Sequence, residues 1–318
     1  MKLVAFVLCL LTSVTVGAQG YPVRPVKVVV PYAAGGLPDT MARLVGQKMS
    51  ESMGQQLVVE NRGGAGGIVG TSEVAKAAPD GYSLLVADVS QIAINPHLFS
   101  KLPYDPVKEL TGVSLMGTSA LYLVLHPSVP ANTLKELVAL AKSQPGKISY
   151  GSSGLGSIHH LAMEALKVGF NIDMVHVPYK GTGQSVPALL GGQVQVLYSA
   201  LPSIESHVKA GKVKIVAVST PQRVASTPDV PTVAESGVPG YDFVAEIGFY
   251  APMGKPPDVI AKVAGEVQKA VKQPDVVQRF RQLGIEPVGS TPDAYNAMNR
   301  ASYQKYEKVV KASGAKIE

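Results

Sequence analysis

The sequence predicts an α/β protein of two lobes, each built on a mostly parallel sheet flanked by helices. Three observations carry this. A short apolar run, a glycine-rich turn and a helix-start signal follow one another repeatedly, around residues 28–45, 55–77, 147–166 and 174–190. Such alternation sets parallel strands side by side with their loops at one edge. A long connection rich in Pro, Ser, Thr and Gly runs over residues 219–241, with Thr227-Pro228-Asp229-Val230-Pro231-Thr232 at its centre, and connections of that kind cross between lobes. Finally, 318 residues suffice for one large or two ordinary domains. The expected division is discontinuous: residues 19–121 with 246–318 in one lobe and 122–245 in the other.

Along the chain, the apolar run Val28-Val29-Val30 stops at Pro31, and Tyr32-Ala33-Ala34-Gly35-Gly36-Leu37-Pro38 follows. Asp39 or Thr40 can then cap a helix continuing through Met41, Leu44 and Val45. Strand, glycine turn and helix start together make a place for an anion, because the first helical N–H groups lack internal partners and the positive dipole end faces outward. The same pattern also fits a loop that uses glycine for positive φ and binds nothing.

A second strand over 55–60 runs into Asn61-Arg62-Gly63-Gly64-Ala65-Gly66-Gly67 and a helix over 68–77. Pro79-Asp80-Gly81 turns the chain into a third strand, 83–87, with a loop over 88–96. Three strand ends thus fall on one side, where ligands of doubly wound sheets sit. A strand over 121–126 precedes Thr133-Leu134-Lys135-Glu136, a capping-box pattern. After a strand over 147–150 comes the loop Gly151-Ser152-Ser153-Gly154-Leu155-Gly156-Ser157, then a helix with Leu161, Ala162, Ala165 and Leu166 on its apolar face. The unit recurs as a strand over 174–177, the turn Pro178-Tyr179-Lys180-Gly181-Thr182-Gly183 and a helix over 185–190. Strands at 194–198, 214–218 and 243–251 follow, then a helix from Pro256-Pro257 to Val271, a segment ending near Gly284, and a last helix capped by Thr291-Pro292.

Residues 1–18 read as a secretory leader: Lys2, an apolar stretch from Leu3 to Leu11, and small residues ending Val16-Gly17-Ala18, so that Gln19 would begin the mature chain. The apolar stretch is shorter than the roughly 20 residues a membrane span needs. The only cysteine, Cys9, lies within this leader, so the mature chain would be disulfide-free, and the periplasm of a Gram-negative cell is its expected address. The net charge is +6, yet the basic residues are scattered and no cluster alternates with aromatics. Nucleic acid is therefore not an expected partner, and a modest positive excess suits an anionic ligand.

Enzyme templates fail one after another. Gly151-Ser152-Ser153-Gly154-Leu155 lacks the last glycine of a nucleophile elbow, and no Gly-x-Gly-x-x-Gly or P-loop is completed. His159-His160 occupy adjacent helical positions about 100° apart, without Cys or carboxylate at a supporting spacing, which fits capping or packing better than a metal. What remains is a set of Gly/Ser/Thr loops opening helices: amides and hydroxyls suited to holding a carboxylate without reacting with it. No cofactor is expected.

With these landmarks in order, the sequence resembles the Bug family, the solute-binding receptors of tripartite tricarboxylate transporters. The landmarks are Pro31-Tyr32-Ala33-Ala34-Gly35-Gly36-Leu37-Pro38-Asp39, Val59-Glu60-Asn61-Arg62-Gly63-Gly64-Ala65-Gly66-Gly67, Pro79-Asp80-Gly81-Tyr82 and Ile94-Asn95-Pro96. They continue with Tyr150-Gly151-Ser152-Ser153-Gly154, Val177-Pro178-Tyr179-Lys180-Gly181, Pro228-Asp229-Val230-Pro231-Thr232 and Ala251-Pro252-Met253-Gly254. The resemblance implies a two-lobed periplasmic binding protein, a Venus flytrap, that captures a small carboxylate (a dicarboxylate, an amino acid or an aromatic acid) and delivers it to membrane subunits. It acts as a monomer in that picture. The resemblance points to Tyr32, Gly35, Gly36 and Asp39 in the first lobe and to Ser152, Ser153, Gly154, Tyr179, Gly181, Thr182 and Tyr198 in the second. Asp39 also fits a helix cap, and the Lys180 head group is expected in solvent. Two departures stand out. Asp88 occupies a position where many members carry a small hydroxyl or glycine, and Val196-Leu197-Tyr198-Ser199 lacks an acidic residue often found after that strand. An ionised Asp88 would repel a bare carboxylate and welcome an ammonium or another donor; alternatively it caps the next helix and faces away. Two other roles remain open: presentation of the ligand to a membrane sensor, and an exported hydrolase built on Ser152 or Ser153.

Overall fold

The structure, a computed structural model, describes residues 20–313; the expected leader lies outside the described residues. Its elements follow in chain order as β1 (Val26–Val30), α1 (Leu37–Met53), β2 (Leu57–Asn61), α2 (Ile68–Ala75), β3 (Ser83–Ala87), α3 (Asn95–Leu98), α4 (Pro106–Glu109) and β4 (Leu110–Ala120). Next come β5 (Tyr122–Leu125), α5 (Leu134–Ser143), β6 (Ser149–Ser152), α6 (Ile158–Phe170), β7 (Val175–Pro178), α7 (Thr182–Leu190), β8 (Val196–Ser199), α8 (Glu205–Lys209) and β9 (Lys214–Val218). The chain closes with β10 (Val244–Pro252), α9 (Pro257–Val271), α10 (Pro274–Gln282), β11 (Ile285–Pro287) and α11 (Pro292–Ser313).

The strands form two sheets, a six-stranded one ordered β11-β4-β10-β3-β1-β2 and a five-stranded one ordered β7-β6-β8-β5-β9. Both are mixed. In the first, β3, β1 and β2 are parallel neighbours, while β10 pairs antiparallel with β3 and β4. In the second, β7, β6 and β8 are parallel neighbours, while β5 pairs antiparallel with β8 and β9. The reversed strands β10 and β5 have a common cause. β4 passes through Leu121 straight into β5, and residues 219–243 lead from β9 into β10. A strand by which the chain enters a lobe runs away from the other lobe, against strands whose carboxyl ends face it. The expected parallel βα units are present, each with one entering strand threaded between its members.

Local chemistry sets the element ends. α1 begins three residues earlier than an Asp39 cap would place it. Gly36 takes the extended N-cap conformation, Pro38 sits in the first turn, and Asp39 reaches back to accept the Gly35 N–H at 2.9 Å. Gly54, at φ 68°, ends the helix by donating to the Ser50 carbonyl. Met41, Val45 and Met49 on its inner face are fully buried, as are Val28, Val29 and Val30 of β1; each such side chain contributes about 1.5–3 kcal/mol. α5 carries the expected cap, Thr133 accepting the Glu136 N–H. β4 and β11 have no sequence-level expectation behind them. β4 is buried on both faces and interrupted by Gly112 and Gly117, so neither alternation nor an apolar run marks it.

The loops following the parallel strands of the two sheets meet face to face. The Ala33 N–H donates to the Lys180 carbonyl at 3.0 Å, and the Ile158 N–H donates to Ser90 Oγ at 2.9 Å. Glycines line this seam where no side chain fits. A β-carbon on Gly36 would lie 2.7 Å from Thr182 Oγ1, one on Gly181 2.9 Å from the Ala33 nitrogen, and one on Gly183 would overlap the Ala34 carbonyl oxygen. Gly183 lies inside α7, where alanine is the better helix former by about 1 kcal/mol. Gly183→Ala is therefore expected to keep native helix content by circular dichroism while parting the lobes, seen as a larger radius of gyration in solution scattering. A scattering curve superimposable on that of the native chain would contradict this account of the seam.

Candidate ligand-binding site

The seam encloses a cavity of about 20 Å³, room for roughly one water. The side of the six-stranded sheet supplies Tyr32, Leu37, Pro38, Asp88 and the β10 residue Ala245; Ser153, His159, Thr182 and Ala200 face them, with Leu121 at the crossing between sheets. The amino ends of three helices converge here. Leu37 and Pro38 open α1, His159 lies in the first turn of α6, and Thr182 begins α7. The positive dipole ends of three helices thus lie at the cavity, an environment that favours negative charge.

Asp88 ends β3 inside this wall and is 3% exposed. It accepts the Tyr32 hydroxyl at 3.0 and 3.1 Å and the Ser90 N–H at 2.7 Å. It therefore both caps the turn after β3 and faces the cavity, uniting two roles that read as alternatives in sequence. Burial pushes its carboxyl up, and hydrogen bonds from Ser90 and Tyr32 offset only part of that push. No lysine or arginine belongs to the cavity wall. Gln91 braces the group from behind, donating to the Tyr32 hydroxyl at 2.8 Å and to the Gly66 carbonyl at 3.1 Å.

Asp39 has the opposite environment. It accepts from Gly35 N–H, from Arg43 Nε at 3.0 Å and from Asn61 Nδ2 at 3.0 Å, and it does not line the cavity. Burial alone would raise its carboxyl; the hydrogen bonds from Gly35, Arg43 and Asn61 outweigh burial and hold it below the usual carboxylate range. It is a brace for the glycine turn.

Of the residues singled out in sequence, Tyr32, Asp88, Ser153 and Thr182 line the cavity. The Thr182 hydroxyl is 2.7 Å from where a β-carbon of Gly36 would stand, and Gly181 is the N-cap of α7. Gly35 and Gly154 shape their turns at φ 85° and 131°. Ser152 is turned aside: its Oγ contacts His176 Nε2 at 2.6 Å and the Gly154 carbonyl at 3.1 Å. Tyr179 is half-buried against Gly151, and Lys180 is exposed, reaching across the seam only through its carbonyl. Tyr198 lies outside the cavity wall, its hydroxyl paired with that of Tyr241 at 3.0 Å in the second-lobe core. Leu37, Pro38, Leu121, Ala200, Ala245 and His159 join the wall without a sequence-level expectation. Only His159 had a legible signal, its place in the first turn of a helix opened by a glycine loop.

Two serine–histidine pairs result, Ser152 with His176 and Ser153 with His159 Nδ1 at 2.7 Å. Neither ring has a carboxylate hydrogen-bonded to it among the described residues. His176 is stacked between Tyr150 at 4.8 Å and His160 at 4.1 Å, and burial pushes His159 down to about 4 and His176 to about 3. A nucleophile needs a base held by a third group, and that member is missing from both pairs.

Residues 41–315 match the family described as tripartite tricarboxylate transporter family receptors. Among solved structures, the periplasmic binding protein BugD is similar with a TM-score of 0.90 and 34% identity, covering 94% of this chain and 100% of that chain. R. palustris Rpa4515 with adipate gives a TM-score of 0.90 and 32% identity over 93% of this chain and 100% of that chain. MatC (Rpa3494) from Rhodopseudomonas palustris with bound malate gives 0.87 and 34% over 91% of this chain and 100% of that chain.

The Asp39 brace has a measurable signature. Asp39→Ala removes the hydrogen bonds that Gly35, Arg43 and Asn61 make to a buried carboxylate and is expected to cost about 1–3 kcal/mol in urea unfolding at neutral pH. Because the folded-state pKa is depressed, this contribution is complete above the unfolded value of about 3.9 and vanishes as pH falls through the lower folded value. The stability gap between native and variant chains should therefore narrow at acidic pH; a gap that stays constant would contradict the brace.

Proposed function

The chain belongs to the tripartite tricarboxylate transporter receptor family, and on that premise we propose that it captures a small carboxylate between its lobes and delivers it to the membrane subunits of such a transporter. Family and fold are those of substrate-binding receptors, not enzymes. The observation that carries the proposal is the cavity enclosed by both lobes, onto which three helix amino ends and the Thr182 side chain converge. Similar proteins solved with adipate and malate support a carboxylate as the ligand class. The leader-like residues 1–18 support delivery to the periplasm, where the receptor works as a monomer. The lobes are residues 19–121 with 246–318 and residues 122–245. They part to admit a ligand larger than the present cavity and close on it, as differential affinity for the closed state requires.

Asp88 narrows the class. A bare carboxylate beside an ionised, buried Asp88 would leave two negative charges with no cation in the wall. The fitting ligand carries an ammonium or another hydrogen-bond donor as well as a carboxylate, with Asp88 receiving the donor and the helix ends receiving the carboxylate.

A thermal-shift screen of dicarboxylates, amino acids and aromatic acids tests the first part, since a ligand at 100 times its Kd stabilises the folded state by about 2.7 kcal/mol. A flat response across all three classes would overturn carboxylate capture. Calorimetry on Asp88→Asn tests the second. The exchange is expected to weaken donor-bearing ligands about tenfold or more relative to bare carboxylates, and unchanged affinity and preference would remove Asp88 from ligand selection.

A further inference from the structure

The cavity wall contains one buried polar atom with nothing to bond. His159 is 8% exposed, its Nδ1 lies 2.7 Å from Ser153 Oγ, and its Nε2 makes no hydrogen bond. Other buried side-chain atoms lack partners elsewhere, among them Lys255 Nζ and Tyr295 OH, but of the unpartnered set only His159 belongs to this wall. His159 lines a cavity of only about 20 Å³, and its Nε2 is the ring atom left free for an occupant. The polar groups across from it are already engaged: Tyr32 and Asp88 with each other, and Asp88 also with Ser90.

We propose that His159 is a ligand-contacting residue whose Nε2–H donates to the captured carboxylate, and that Ser153 is a positioning residue whose hydroxyl donates to Nδ1 and holds the ring in that tautomer. This rests on the reading that a carboxylate is captured in this cavity. A carboxylate only accepts, and a neutral imidazole has one N–H to give. If Nδ1 carried the proton, it would be spent on Ser153, and the Nε2 lone pair would oppose the ligand's oxygens. Burial keeps the ring neutral near physiological pH, so the choice lies between tautomers and not between charge states. Ser153 has a single proton; once given to Nδ1, it cannot reach the ligand. The serine that reads in sequence as a direct ligand donor therefore acts through the histidine behind it. The two ends of the cavity become distinct, a donor at His159 and an acceptor at Asp88, which orients a ligand bearing both a carboxylate and a donor.

Nitrogen-15 NMR of the histidine rings in the ligand-free protein should show His159 as the Nε2–H tautomer, and Ser153→Ala should erode that preference without unfolding the chain. A native ring protonated at Nδ1 would overturn the assignment. The second arm uses malate, adipate and aspartate as probes on the native chain, His159→Phe and His159→Gln, with thermal melts to confirm folding. His159→Phe is expected to weaken the bound probe about tenfold or more, and His159→Gln, whose amide keeps a donor, to recover most of that loss. Equal affinity in native and His159→Phe chains would overturn the assignment alone. Absence of binding by all three probes to the native chain would overturn both this assignment and the capture reading beneath it.

Discussion

Backbone meets backbone across the two lobes, and the rest of the structure follows from that closeness. The Ala33 N–H and Lys180 carbonyl are 3.0 Å apart, a distance that leaves no layer of side chains between the loops. Glycine at positions 36, 181 and 183 is the steric condition for it. The glycine loops thus have a different role from the one their composition suggests. They resemble anion cradles, and the helix ends behind them do point at the cavity, but many of the glycines serve the seam itself. The fit leaves room for roughly one water, and several side chains that reach the interior, Leu37, Ser153 and Thr182 among them, stand just beside a glycine.

Exclusion of water raises the stakes for every polar group inside. Asp39 and Asp88 follow neighbouring strand ends on one sheet, yet they behave oppositely. Asp39 meets an arginine, an asparagine and a backbone amide, and its carboxyl is held low. Asp88 meets a phenol and an amide, has no cation in the wall beside it, and its carboxyl is pushed up. The first stabilises a turn; the second is a buried acceptor held by the Tyr32 hydroxyl and the Ser90 amide with no cation in the wall beside it. His159 is the complementary case, a buried ring nitrogen with a fixed partner on one side and none on the other. A receptor that holds a ligand without reacting with it needs both kinds of group, and neither serine–histidine pair is completed into catalytic machinery.

The fold was legible where local physics decides it. Short apolar runs marked β1, β3, β6 and β9 to within two residues, and Thr133 and the Thr291-Pro292 pair marked the starts of α5 and α11. β4 was invisible because it is buried on both faces, contains two glycines and owes its extended shape to its pairing with β10 and β11. The α1 start was displaced because Asp39 caps from inside the helix, reaching back to Gly35. Within the cavity wall, the family resemblance pointed to Tyr32, Ser153 and Thr182 and a departure from it to Asp88, and each adjoins a strand end or glycine turn. Tyr198 sits on a strand near the site, but its side chain points to Tyr241 in the core, a direction set by the pleat and the packing of residues distant in sequence.

By itself the sequence determined the recurrent strand–glycine–helix units, the absence of a completed catalytic motif, and membership in the tripartite tricarboxylate transporter receptor family. Those are properties of neighbouring residues, where propensity, capping and turn geometry act within a few positions. Tertiary structure alone decided which of those loops touch: that Gly183 packs on Ala34, that Asp88 faces Ser153 and His159 across a cavity of about 20 Å³, and that Ser152 turns away to His176. These are contacts between residues tens of positions apart or more, and they exist only when two sheets bring their loop edges together. No periodicity records them.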